Sequence, residues 1–94
     1  MATTLSELAS LVGGEISGSG QLPIVGAATL DDVQPGEITL IDGIERVGRL
    51  AESPAAAAVV PRGVSQDKVA AIVVEDVHAA FTAIVLHFRP VRKP

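Results

Sequence analysis

The stretch Pro54-Ala55-Ala56-Ala57-Ala58-Val59-Val60-Pro61 most narrows the folds open to this chain. Proline removes a backbone donor and clashes with the preceding helical turn, so a helix of ordinary length has no room between these two. A strand fits. Because it is apolar at every position, both of its faces must be covered, which places it inside an α/β sheet. Residues 69–74, Val-Ala-Ala-Ile-Val-Val, repeat the pattern after a loop over 62–68.

The surrounding sequence supplies the covering elements. Thr4 and Glu7 have the spacing of a capping box, followed by Leu5, Leu8, Leu11 and Val12 at helical intervals. Gly13-Gly14 ends that helix. Residues 15–17 and 23–30 read as strands, expected to pair with each other across Gly18-Ser19-Gly20. Pro35-Gly36 suits a type II turn, and residues 37–41 form the next strand. A helix is predicted over 43–52, with Ile44, Val47 and Leu50 inward and Glu45, Arg46 and Arg49 outward. Asp76 caps a last helix over 77–88, which ends before Pro90. The expected fold class is therefore α/β: a small mixed sheet of about five strands with flanking helices.

Ninety-four residues make one small domain, burying about 60–65% of its unfolded surface. The chain has no cysteine, which excludes disulfides and thiolate metal sites. A net charge of −4 argues against nucleic acid as a partner. No apolar run approaches the roughly 20 residues of a membrane-spanning helix, and residues 1–9 do not read as a signal peptide. Residues 89–94, Arg-Pro-Val-Arg-Lys-Pro, read as a linker or truncation tail after a domain over 1–88.

Few residues offer chemistry. His78 and His87 are nine apart on one predicted helix, so they point to roughly opposite faces and share no metal. Each is read as structural. Asp31-Asp32 and Glu75-Asp76 are read as turn and cap residues. The glycines at 13–20 follow a helix and precede a strand, the reverse of a phosphate loop. No Gly-x-Ser-x-Gly elbow is present. Arg46 and Arg49, just after a strand, could meet a phosphate or a base, against a solvated-face reading that is favoured. No catalytic residue, metal or cofactor follows from the residues.

Six segments in register resemble the N-terminal domain of the UDP-3-O-acylglucosamine N-acyltransferases of lipid A biosynthesis. The helix Thr4-Leu5-Ser6-Glu7-Leu8-Ala9-Ser10-Leu11-Val12-Gly13-Gly14-Glu15 is one. Gly18-Ser19-Gly20 and Ile24-Val25-Gly26-Ala27-Ala28-Thr29-Leu30 follow it. Then come Pro35-Gly36-Glu37-Ile38-Thr39-Leu40, the strand at 55–60, and Val73-Val74-Glu75-Asp76-Val77-His78-Ala79-Ala80-Phe81.

The resemblance implies a cytoplasmic enzyme that moves a 3-hydroxyacyl group from acyl carrier protein to the 2-amine of a UDP-linked 3-O-acylglucosamine. It implies a homotrimer built on a left-handed β-helix that carries the catalytic His. The 94 residues alone would then be non-catalytic and monomeric. The fold implied is similar to the N-terminal domain of Mur ligases. At the family's uridine pocket, where Phe, Asn-Pro and Tyr are usual, this chain has Leu40, Asp42, Gly43-Ile44 and Arg46. Arg46 is the expected substitute, stacking on uracil or pairing with phosphate.

Two other readings remain open: a free-standing, non-catalytic α/β binding or scaffolding module without the uridine site, and a Mur-type ligase domain. The ligase reading requires a P-loop soon after Pro94.

Overall fold

The two apolar runs are adjacent parallel strands in the computed structural model, which describes residues 3–43, 46–50, 52–64 and 69–88. They are β6 (Ala57–Pro61) and β7 (Ala70–Val74), paired with Ala58 opposite Ala71 and Val59 opposite Ile72. Along the chain they are preceded by β1 (Thr3–Thr4), α1 (Leu5–Val12), β2 (Glu15–Ser17), β3 (Pro23–Ile24), β4 (Gly26–Ala27), β5 (Glu37–Leu40) and α2 (Val47–Leu50). The last element is α3 (Val77–Phe88). The main sheet has five strands in the order β2-β7-β6-β5-β4. β2 is antiparallel to β7, and the other pairs are parallel. The α/β class and the mixed five-strand sheet expected from the sequence are observed.

Alternation along each strand splits the core in two, because successive side chains point to opposite faces. Ala57, Val59, Ile72 and Val74 join Leu5 and Leu8 of α1 and Ala80, Phe81 and Ile84 of α3. Ala58, Val60 and Ala71 join Val33, Ile41 and Leu50 on the other face. The capping box forms as its spacing predicts: Glu7 N donates to Thr4 Oγ1 at 3.2 Å and Thr4 N to Glu7 Oε1 at 2.9 Å. The Pro35-Gly36 turn closes with Glu37 N donating to Gln34 O at 3.1 Å, and Gly36 takes φ 89°. Asp76 caps α3 through its Oδ1, which accepts from Ala79 N at 3.0 Å.

Three expectations are corrected. Residues 15–17 do not pair with 23–30; β2 lies on β7, while β3 pairs with β1 in a separate two-stranded ribbon. β7 offers a long apolar edge with Ile72 opposite Ile16, a better partner than a segment interrupted at Val25. The strand expected over 23–30 accordingly breaks in two at Val25, which is 62% exposed, and β4 joins β5 instead. The helix expected over 43–52 is described only at Val47–Leu50. It is flanked by i→i+3 bonds, Arg46 N to Gly43 O and Ser53 N to Leu50 O, both 3.1 Å. Gly43 and Gly48 each weaken a helix by about 1 kcal/mol, which favours these tight turns. Ile44, Glu45 and the tail over 89–94 lie outside the described residues.

Thr39 sits in β5 with no exposed surface, and its hydroxyl has no partner among the described residues. An unpaired buried hydroxyl costs about 1–3 kcal/mol. Thr39→Val is therefore expected to stabilise the fold by about 1 kcal/mol, read as a higher thermal midpoint. A lower midpoint would mean the hydroxyl is bonded after all.

Candidate functional site

The C-terminal ends of parallel strands in an open α/β sheet leave a crevice, because the following loops diverge to opposite faces. Here the ends of β4 and β5 and the start of α3 enclose a cavity of about 310 Å³. Leu40, the last residue of β5, lines it, and Asp42 follows two positions on. Phe81 reaches it from α3; only 8% of Phe81 is exposed, so the ring is a wall seated in the core. Thr29, Leu30 and Asp31, from the turn after β4, complete the rim.

Asp42 is the electrostatic centre. Arg46 Nε lies 2.9 Å from its Oδ1, and His78 Nε2 lies 3.5 Å from its Oδ2. One carboxylate therefore stands between a guanidinium from the turn before α2 and an imidazole from α3. The side chain of Asp42 is 34% exposed and that of Arg46 45%, so the cluster opens to solvent. Asp31 is engaged separately, accepting a hydrogen bond from Arg49. That bond and the Arg49 charge hold the Asp31 carboxyl below its usual range, with Arg46 adding to the effect.

Leu40, Asp42 and Arg46 line one and the same cavity. Gly43 does not line the cavity; its carbonyl accepts from Arg46 N and shapes the turn that carries Arg46. His78 and Phe81 are members that sequence reasoning missed. The signal available was Asp76: a helix capped there puts both residues in its first turns, at the mouth of the sheet. His87 lies elsewhere, with Nε2 3.0 Å from Thr3 Oγ1 and its ring edge-on to Phe88. The two histidines are indeed apart.

A larger depression of about 480 Å³ lies where Val12, Gly13 and Arg62 meet Ala79, Ala80 and Ala83 of α3. It contains none of the predicted site residues. Its guanidinium is shared between Glu15 and Glu75, each at 3.6 Å, and Asp76 is occupied in capping α3. The smaller cavity is the one that holds Leu40, Asp42 and Arg46.

The sequence model of the family described as LpxD, UDP-3-O-(3-hydroxymyristoyl) glucosamine N-acyltransferase, matches residues 21–87, most of the chain and every residue of this cavity. The chain belongs to the LpxD family. A UDP-3-O-acylglucosamine N-acyltransferase from Rhodopirellula baltica is 35% identical over 112 residues, covering 93% of this chain and 30% of its own length. The protein of that name from Syntrophotalea carbinolica is 30% identical, over 86% of this chain and 24% of its own length. One from a Geobacter species is 36% identical over 67% of this chain and 18% of its own. The chain therefore spans under a third of each of these LpxD-family relatives. No described helix is long and apolar enough to cross a membrane.

Proposed function

We propose that this LpxD-family chain is the substrate-binding N-terminal domain of an acyltransferase of lipid A biosynthesis. Its cavity holds the uridine end of a UDP-linked 3-O-acylglucosamine. The parent enzyme moves a 3-hydroxyacyl group from acyl carrier protein to the 2-amine of that sugar. The nitrogen attacks the thioester carbonyl, the carbon–sulfur bond breaks, and the carrier leaves as a thiol. No residue over 1–88 takes part in that step. Residues 89–94 lead into a left-handed β-helix that trimerises, receives the carrier and supplies the base, while the domain by itself is monomeric. The enzyme works in the cytoplasm, where its nucleotide-linked substrate is made. Hexapeptide repeats encoded past Pro94 would support this layout; a P-loop there would favour a ligase.

The observation carrying this reading is the convergence of Leu40, Asp42 and Arg46, the family's uridine-pocket positions, on one cavity beside Phe81. A flat base can lie against Leu40 and Phe81 while Arg46 supplies a planar cation or a phosphate partner. Leu40 lacks the stacking face of an aromatic, and one base–aromatic stack contributes about 1–3 kcal/mol. Leu40→Phe is therefore expected to tighten UDP-N-acetylglucosamine roughly five- to hundredfold in a calorimetric titration. Arg46→Ala is expected to loosen it about tenfold. Saturable binding with an affinity indifferent to both changes would remove the proposal. Leu40 and Arg46 in place of aromatics are what favour the second reading, a non-catalytic module without the uridine site, and clear saturable binding of UDP-N-acetylglucosamine would count against it.

A further inference from the structure

The aspartates among the described residues are Asp31, Asp32, Asp42 and Asp76. An aspartyl side chain is open to attack by the backbone nitrogen of the next residue when that nitrogen is uncommitted and its residue is small. After Asp31 and Asp32 the nitrogen is engaged: Asp32 N donates to Thr29 O at 3.0 Å and Val33 N to the same carbonyl at 2.9 Å. Asp76 is followed by Val77, whose branched Cβ crowds the first residue of α3. Asp42 is followed by Gly43, which has no side chain to hinder close approach. The Gly43 amide donates to no group among the described residues. The pair lies between β5 and α2, outside any strand or helix, and the Asp42 side chain is 34% exposed, so water reaches it. Arg46 Nε, 2.9 Å from Oδ1, and His78 Nε2, 3.5 Å from Oδ2, hold its carboxylate.

We propose that Asp42-Gly43 is a self-modification site, at which the backbone passes through a succinimide to isoaspartate and the Arg46 contact is the brake. The Gly43 nitrogen forms a bond to Asp42 Cγ. Its proton, one carboxyl oxygen and a proton from solvent leave as water, closing a five-membered ring. Water then opens the ring at either carbonyl. Opening at Cγ restores aspartate. Opening at the Asp42 backbone carbonyl leaves the chain running through Cγ, with the former backbone carbonyl as the new carboxylate. The main chain gains one methylene, the carboxylate now sits directly on Cα, and water is the one other reactant. The change falls in the turn where Arg46 N donates to Gly43 O, and it draws the carboxylate away from Arg46 and His78. The carboxylate must leave Arg46 before Cγ reaches the Gly43 nitrogen, so the pair slows the step by the modest hold of a solvent-exposed ion pair. The reaction is independent of what the cavity binds.

The test is mass-spectrometric peptide mapping of the folded chain after weeks in neutral buffer made with heavy-oxygen water. Electron-transfer fragmentation tells the two isomers apart, and each ring opening leaves one heavy oxygen. Asp42 is expected to convert at least about tenfold faster than Asp31, Asp32 or Asp76. Arg46→Ala is expected to raise the Asp42 rate about two- to fivefold. Gly43→Val crowds the nitrogen, and Asp42→Glu would need a six-membered ring; each is expected to bring labelling at position 42 down to the level of Asp32. An amide-resonance spectrum unchanged away from the turn verifies that the variants fold. Conversion at Asp42 no faster than at Asp32 overturns the proposal, as does labelling that survives both Gly43→Val and Asp42→Glu. A rate indifferent to Arg46→Ala overturns the brake.

Discussion

Ile72→Ala is expected to lower the free energy of unfolding by about 3–4 kcal/mol, seen as a fall in the urea midpoint with an unchanged slope. Ile72 is fully buried in the middle of β7, with Ile16 of β2 opposite on one side and Val59 of β6 on the other. It belongs to the core under α1 and α3. Truncation removes apolar area and leaves a cavity that neighbours on two strands and two helices cannot all close. A domain of this size holds only about 5–14 kcal/mol in total, so the loss is a large share of its stability. Leu86→Ala is the control: that residue is 58% exposed, and its change is expected to stay within about 0.5 kcal/mol. Similar effects from both would mean that β7 is not the centre of the core.

Gly14→Val is expected to cost about 3 kcal/mol, at the upper end of overpacking effects. The reason is space, not dihedral strain, since Gly14 is not among the glycines with positive φ. A Cβ there would lie 2.5 Å from Ile72 Cγ2, 2.8 Å from Val74 Cγ1 and 3.0 Å from Val73 O. Those methyls hang directly from strand residues and the carbonyl belongs to the sheet, so none can swing aside. Gly13, its neighbour, has φ 69°, and a Cβ on it would meet nothing within 4 Å. Gly13→Ala is accordingly limited to backbone strain of about 1 kcal/mol. A double-mutant cycle separates the causes. Ile72→Ala deletes the nearest methyl, so Gly14→Ala is expected to cost less in that background, by about 1 kcal/mol. Equal cost in both backgrounds would place the clash elsewhere. All of these are read from urea titrations.

Much of the fold was legible along the chain. The apolar run after Pro54 forms a strand whose last residue is Pro61, Thr4 and Glu7 open a helix, Gly13 ends it, and Gln34-Pro35-Gly36-Glu37 turns as its residue types require. Each of these signals is local: a missing N–H, a side-chain oxygen near an orphan amide, or a backbone conformation that glycine adopts readily. The partner of residues 15–17 was not legible, because alternation says which face of a strand is buried and not which strand lies beside it. Nor was the break at Val25, where the chain passes from the small ribbon to the main sheet. After Gly43 two local signals compete: apolar spacing favours a helix, and two glycines favour the tight turns that flank α2.

The candidate site divides along the same line. Leu40, Asp42 and Arg46 lie close together on β5 and the turn after it, so their sequence determined that they would meet. The local code also determined the α/β class, the helix caps and the buried character of the central strands, because each depends on residues within a turn or two of one another. Only the tertiary structure brought His78 and Phe81 to them. That depends on α3 crossing the ends of β4 and β5, which follows from burying Phe81 and Ile84 against the sheet. The contact of His78 with Asp42 exists only once those distant segments pack, and no spacing along the chain encodes it.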